Sequence, residues 1–426
     1  MIHVIDSIMG SGKTSYIIQE LNNSHKENES NGFTDGYEPK RYIVATPYLD
    51  QIKAINSKVP HGKEVKDTSQ SKSDNLVKLL RDKTEVIFCT HALLNKFSQF
   101  ELLKNYILII DESPDVIEIM SDNPEIDSEN TILKEDLEIL KKAELTQEDT
   151  NGFIEWKGEE YKGLAYKKIY PFLRNKSLIS RNNSVYKLLP TELFQSAKKT
   201  YICTYLFEGQ NMFYYCKHFG LEFDYWHVME ESKENYVLQE SQTPKEKREY
   251  KIDVYEGKYN DIGKTWLSKN WYQNTAKKDE LEYLGKSIYN YLKTHLKTKT
   301  KQETKTEQVI WTSFVSYAEQ IAKGRKLFTF NRNYKESNKC NFVPCSKRAT
   351  NDYKERTKVV YAVNRFQNPQ IMNFFAGQDY NQELFALQEM LQFIWRSAIR
   401  ENEPIHLYVP SERMRNLLKQ WLNGEL

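Results

Sequence analysis

Cysteine is scarce: five residues in 426, at Cys89, Cys203, Cys216, Cys340 and Cys345. The set is odd in number and scattered, with no CxxC pair and no Cys/His cluster. That pattern offers no disulfide framework and no zinc-finger spacing, so reduced, packed thiols are expected. No apolar run approaches the roughly 20 residues that span a bilayer. The opening Met1-Ile2-His3-Val4-Ile5-Asp6 lacks the basic start and long apolar stretch of a secretory signal. A cytoplasmic protein is therefore expected. An excess of one charge is also missing: 61 basic residues stand against 59 acidic ones, a net +2. Bulk charge does not draw a polyanion to this chain. Any phosphate backbone must be met by a local basic groove or by backbone N–H groups. No repeat of period 20 to 50 is present.

What remains is an ordinary globular balance, 39% hydrophobic and 28% charged, long enough for two or three domains. The first third alternates short β-branched runs with helical stretches. The runs are His3-Val4-Ile5, Tyr42-Ile43-Val44-Ala45, Val86-Ile87-Phe88-Cys89 and Ile107-Leu108-Ile109-Ile110. They read as buried strands of a parallel sheet covered on both faces. Polar pairs follow each: Asp6-Ser7, Thr46-Pro47, Thr90-His91 and Asp111-Glu112. Ligands bind at the carboxyl ends of such strands.

Residues 118–195 break the rhythm and read as an insertion, with a hairpin around Trp156–Tyr161. The rhythm resumes at Tyr201-Ile202-Cys203-Thr204, and the polar stretch near 230–250 reads as an inter-domain linker. Strands near Tyr250–Val254, Val309–Ser313, Asn341–Pro344, Val359–Val363 and Ile405–Val409 predict a second α/β domain. The expected boundaries are 1–240 and 241–426.

Met9-Gly10-Ser11-Gly12-Lys13-Thr14 follows a strand and opens a helix predicted over Ser15 to Leu21. Glycines let the backbone close around phosphate, and N–H groups at a helix start face the anion. Gly10, Ser11, Gly12, Lys13, Thr14 and Ser15 are the candidate phosphate-binding residues, with Lys13 on the β- and γ-phosphates of ATP and Thr14 on Mg²⁺. Ser7 stands where the usual GxxxxGK(S/T) pattern has its first glycine. A second Gly-Lys-Thr at Gly263–Thr265 has no strand before it and reads as coincidence. Asp111, at a buried strand end, suits a water-mediated Mg²⁺ contact, and Glu112 beside it can activate the attacking water. Near the C-terminus, Glu383 to Arg400 reads as one helix. On it Gln392, Arg396 and Arg400 form a stripe opposite Leu384, Leu387, Leu391, Ile394 and Ala398. The stripe is either an ordinary solvated face or a set of arginine fingers.

Together these residues resemble a superfamily 2 helicase, which implies two RecA-like domains with ATP between them and a nucleic-acid strand across both. A serine at position 7 fits that superfamily. Thr46-Pro47 is similar to motif Ia, Thr90-His91 to its neighbouring strand-end contact, and Asp111-Glu112 to motif II. Thr204 stands in the place of motif III. Val309–Phe314, with Thr312, is similar to motif IV. Pro344–Asn351, with Arg348, Thr350 and Asn351, occupies the place of motif V, and Gln392–Arg400 that of motif VI. The resemblance implies nucleic-acid contacts at Thr46, Pro47, Thr90, His91, Thr204, Thr312, Arg348, Thr350 and Asn351. It implies phosphoryl stabilisation by Gln392, Arg396 and Arg400. The arginines are four apart where the family spaces them by three, so either can be the finger. The Arg-Ala-Thr-Asn and Trp-Arg-Ser-Ala-Ile-Arg forms resemble phage-type replication helicases, which implies DNA before RNA as substrate and a host cytoplasm as the setting.

Two rivals stay open: a DNA-packaging P-loop ATPase, and a non-enzymatic helicase-like module that recruits replication proteins through the 118–195 insertion. Lys264, Trp266, Lys269, Trp271, Tyr272, Lys277 and Lys278 interleave bases with aromatics and suit either strand stacking or a half-buried helix. His218 and His406 read as packing residues. No serine or cysteine nucleophile and no structural metal are suggested.

Overall fold

In the computed structural model, the first five strands are β1 (Ile2–Asp6), β2 (Tyr42–Thr46), β3 (Lys63–Glu64), β4 (Val86–Thr90) and β5 (Ile107–Asp111). Residues 1–32, 34–66, 71–120, 132, 134–182, 184–241, 248–262, 266–298, 308–332, 340–345 and 352–426 are described. They divide into two units. The first comprises Met1–Ser7, Ser11–Gln242 and Asn368–Tyr380; the second comprises Ile8–Gly10, Thr243–Gln367 and Asn381–Leu426.

In the first unit the strands are buried because apolar side chains cover both faces. Ile43, Ala45, Ile87, Leu108 and Ile110 enter one core. Tyr42, Val44, Val86, Phe88 and Ile109, one residue out of step, enter the other. That period of two, apolar in both phases, is what a sheet with two covered faces requires. The second core is capped by Ile17 and Leu21 of helix α1 (Lys13–Asn31), both about fully buried. Each contributes roughly 1.5–3 kcal/mol by leaving water.

The insertion is a second sheet. Its strands are β6 (Ile117–Ile119), β7 (Thr146–Glu148), β8 (Ile154–Trp156), β9 (Leu178–Arg181) and β10 (Ser184–Leu188), in the order β6-β10-β9-β8-β7. All its pairings are antiparallel. The hairpin here is β7–β8, so Trp156 ends a strand rather than starting a turn to Tyr161.

The chain then returns as β11 (Lys199–Thr204), β12 (Phe223–Ser232) and β13 (Asn235–Glu240). The main sheet runs β13-β12-β1-β11-β5-β2-β4-β3, parallel except for the β12–β13 hairpin. The stretch expected as a linker from 230 is thus in part a β-hairpin, with Glu230 to Glu234 at its tip. Polar edge strands are half-exposed, which is why they read as linker.

The second unit holds a four-stranded parallel sheet. Its strands are β14 (Ile252–Val254), β15 (Val309–Thr312), β16 (Lys358–Tyr361) and β17 (Ile405–Tyr408), in the order β14-β17-β16-β15. Asn341–Pro344 is not a strand: only Phe342 forms a bridge, to Trp311. The helix expected over Glu383 to Arg400 spans Gln382–Ile394 and is followed, after an irregular turn, by a 3-10 turn at Ala398–Glu401. The backbone N–H of Trp395 closes it onto Leu391 and Phe393. Gln392, Arg396 and Arg400 therefore share no helical face.

Asn368–Tyr380 lies late in the chain but packs within the first unit. Phe374 and Phe375 enter its core. Tyr380 stacks on Tyr214 at 4.1 Å, and its hydroxyl donates to Asn211 at 2.7 Å. Tyr186 packs on Phe374 with ring centroids 4.9 Å apart. The 240/241 boundary expected from sequence takes no account of this returning strap. All five cysteines are buried and none is in a disulfide. Among the described residues no helix is long and apolar enough to cross a membrane.

Candidate functional site

The strand register aligns the polar ends of the first sheet. Asp6 pairs with Thr204, Cys203 with Asp111, and Thr46 with Thr90. One carboxyl edge therefore carries nearly every polar strand end noted in the first half of the sequence.

The glycine loop leaves β1 and enters α1 at this edge. Gly10 and Gly12 take φ of 86° and 94°, a region L side chains rarely adopt. At Gly12 a side chain would also collide: a Cβ there would lie 2.2 Å from Cε1 of Tyr236. Helix α1 begins without a side-chain cap and without an acid in its first turn. Its early N–H groups are thus left for an anion. The Ser11 hydroxyl is buried with no hydrogen-bond partner, and Thr14 and Ser15 are exposed. A phosphate held by N–H groups and these hydroxyls fits the loop.

Lys13 donates to the carbonyl of Ser7. Burial pulls its ammonium below the usual lysine range, against the opposing pull of Cys203, Asp111, Asp6 and Glu112. A buried cation beside carboxylates at a strand edge is the arrangement that phosphate and Mg²⁺ together would balance. Asp111 is buried as the last residue of β5. Glu112 follows at φ 64°, left-handed for a residue with a Cβ. Such backbone costs of order 1–3 kcal/mol and recurs at functional sites.

Two supports were not visible in sequence. The Ser7 hydroxyl accepts the backbone N–H of Val228 at 2.9 Å, tying β1 to β12. The Asp6 carboxylate accepts the N–H groups of Leu206 and Phe207 at 2.9 and 3.1 Å, tying β1 to the turn after β11. Burial lifts the Asp6 carboxyl above its ordinary value, and those two N–H bonds oppose the lift. Tyr236, the third addition, had no signal because its segment read as linker.

The expected strand-contact residues divide. Pro47 is half-buried beside exposed Tyr48. Thr90 caps a short helix by accepting the N–H of Leu93 at 3.3 Å, and His91 follows, half-buried. Thr46, Thr204 and Thr312 are buried. Thr46 donates to the Tyr48 carbonyl at 2.9 Å, and Thr204 is hydrogen-bonded to Gln210. The hydroxyls of Thr46 and Thr204 are thus engaged inside the fold, and that of Thr312 is buried with no hydrogen-bond partner. Arg348, Thr350 and Asn351 lie outside the described residues, as does the second Gly-Lys-Thr.

In the second unit the arginine pair separates. Arg396 is buried and donates to the carbonyls of Pro344 at 3.1 Å and Cys345 at 3.4 Å. Arg400 is exposed on the 3-10 turn, and Gln392 is half-buried. Asn364 and Arg365 follow the end of β16, a polar strand end of the kind noted in the first half. Arg365 pairs with Glu389 at 3.2 Å, and Asn364 accepts from Arg413 at 3.1 Å.

Residues 246–422 match a family described as the YonV C-terminal Rossmann-like domain. Over its whole length the chain is 34% identical to the SPbeta prophage-derived uncharacterized protein YonV of Bacillus subtilis (strain 168), covering 99% of it. Among solved structures it is similar to S. tokodaii Xpd4, with 15% identity over 98% of this chain and 93% of that one, at a TM-score of 0.50. That likeness concerns the fold: two RecA-like α/β units in tandem, as the sequence led one to expect.

Proposed function

We propose a function for a chain that belongs to the YonV family: it is an ATP-hydrolysing translocase of the superfamily 2 helicase type, acting on a nucleic-acid strand, DNA before RNA. One observation carries the reading. Lys13 shares its immediate electrostatic surroundings with Asp111 and Glu112 at the carboxyl edge of one parallel sheet.

In this reading the N–H groups from Gly10 to Ser15 cradle the phosphates of ATP, and Lys13 leaves the Ser7 carbonyl to meet them. Thr14 and Asp111 would hold Mg²⁺. When bound, the ion neutralises charge that develops on the phosphoryl oxygens. The Glu112 carboxylate accepts the proton of the attacking water. Arg400, with its guanidinium in solvent, acts as the finger, while Arg396 holds the Pro344–Cys345 backbone. Pro47, Tyr48, Thr90 and His91 offer the strand its contacts. The five-stranded insertion is the candidate docking surface for a replication protein. Replication or recombination of phage DNA in a host cytoplasm is the setting that the prophage origin of YonV supports.

The test is steady-state ATP hydrolysis with and without single-stranded DNA, with RNA in parallel and Lys13→Ala as control. Stimulation by DNA that Lys13→Ala abolishes is the expected result. Nucleotide binding without turnover under any condition would replace the motor with a recruitment module.

A further inference from the structure

At the other end of α1, more than three turns from Lys13 and so roughly 18 Å along its axis, three potential metal ligands converge. They are His25 on α1, His61 in the segment before β3, and Glu85 just ahead of β4. One ligand atom from each lies within 4.8 Å of the others. His25 Nδ1 is 2.9 Å from Glu85 Oε2. Ligand atoms around a tetrahedral Zn²⁺ sit about 3.3 Å apart, given bonds of ~2.0–2.1 Å. This pair now sits at hydrogen-bond distance and would open by a few tenths of an ångström around an ion, and the third ligand would close in by at most about 1.5 Å.

The surroundings orient each ligand. The other Glu85 oxygen accepts from Asn28 Nδ2 at 2.7 Å. Asn28 is itself fixed, donating to the Lys40 carbonyl at 2.9 Å and accepting from Lys40 N–H and the Tyr37 hydroxyl. Glu29 stands 3.6 Å from His25 Nε2, on the far side of that ring. The His61 ring stacks on His25 at 4.0 Å and is engaged by a backbone hydrogen bond at Leu21. Its Nε2 is buried and has no hydrogen-bond partner. A buried ring nitrogen left without a partner is costly unless something occupies its lone pair. A histidine fixed through one nitrogen, with its other nitrogen buried and unpartnered near a carboxylate and a second imidazole, has the outer-shell support of a metal ligand, and tilting the two stacked rings would let both meet one ion.

We propose that His25, His61 and Glu85 bind a divalent transition metal, Zn²⁺ by ligand type, with water as fourth ligand. The site clips α1 to the segment ahead of β3 and to the start of β4, remote from the phosphate loop. It stands apart from the proposed motor activity.

The full chain, stripped with a chelator, is titrated with Zn²⁺ by calorimetry and with Co²⁺ by visible absorption. Expected are one equivalent bound, a tetrahedral Co²⁺ spectrum, and a Zn²⁺-dependent rise in melting temperature. His61→Phe keeps a ring stacked on His25 but removes the nitrogen, and Glu85→Gln keeps the shape but removes the charge. Each is expected to weaken binding at least about tenfold and abolish the thermal shift. No binding by the wild type, or undiminished binding by both variants, overturns the proposal. Should one variant fail to fold, the other decides.

Discussion

The Ser7 hydroxyl accepts the backbone N–H of Val228 at 2.9 Å, across 221 positions of sequence. Where the common loop pattern has a glycine, this chain uses a side chain to fasten β12 to β1. Ser7→Ala leaves that buried N–H unmet and should cost about 1–3 kcal/mol. Chemical denaturation should show the loss, while nucleotide affinity at low temperature stays near wild type.

Gly12 carries two constraints that separate by experiment: its φ of 94° and its closeness to Tyr236. Gly12→Ala should abolish nucleotide binding in a fluorescent-analogue titration. Adding Tyr236→Ala removes the collision but not the strain, so the double variant should recover part of the affinity. Full recovery would show the backbone conformation to be unimportant.

Glu112 follows β5 in a left-handed conformation, next to the buried Asp111. Glu112→Gln should lower turnover by ~10²–10⁴, the usual range for a positioned general base, with nucleotide binding retained. Unchanged turnover would remove Glu112 from the chemistry.

Arg396 and Arg400 should fail in different ways. Arg396→Ala breaks buried bonds to Pro344 and Cys345 and should cost about 1.5–3 kcal/mol of stability. Arg400→Ala should leave the melting temperature unchanged and reduce turnover by ~10³ or more, as expected of a finger. Melting curves and kinetics on the two variants check both.

His218 packs among Phe219, Phe374 and Phe375. Burial, and Arg181 after it, push its pKa below the ordinary 6.5. A depressed folded value means the folded state binds fewer protons than the unfolded one. The stabilisation is complete above pH 6.5 and is lost as pH falls toward the folded value. Melting temperature should therefore drop on acidification, and His218→Gln should show a shallower drop. His61, shifted the same way, should preserve part of it.

The parallel sheet was legible because buried strands such as Tyr42–Thr46 are hydrophobic up to their last residue, and the polar ends stand out. The glycine loop and Asp111-Glu112 were legible for the same reason: each closes such a strand. The β12–β13 hairpin was not, because half-exposed strands meeting at Glu230–Glu234 look like a solvated connection. The helix end at Ile394 was hidden because Trp395, Ala398 and Ile399 are buried beyond the last α-helical residue, so the apolar pattern runs on past the helix. Tyr236 over Gly12 and the grouping of His25, His61 and Glu85 are long-range meetings with no local spacing to reveal them.

The strap at Asn368–Tyr380 sets a schedule for synthesis. The core of the first unit includes Phe374 and Phe375, yet the rest of that unit has left the ribosome by Gln242. At ~5–20 residues per second the nascent unit waits on the order of ten seconds for them. Through that interval Tyr186 and Tyr214 lack the rings that cover them in the finished protein, so a chain truncated at the connection would remain permanently in that half-built, aggregation-prone state.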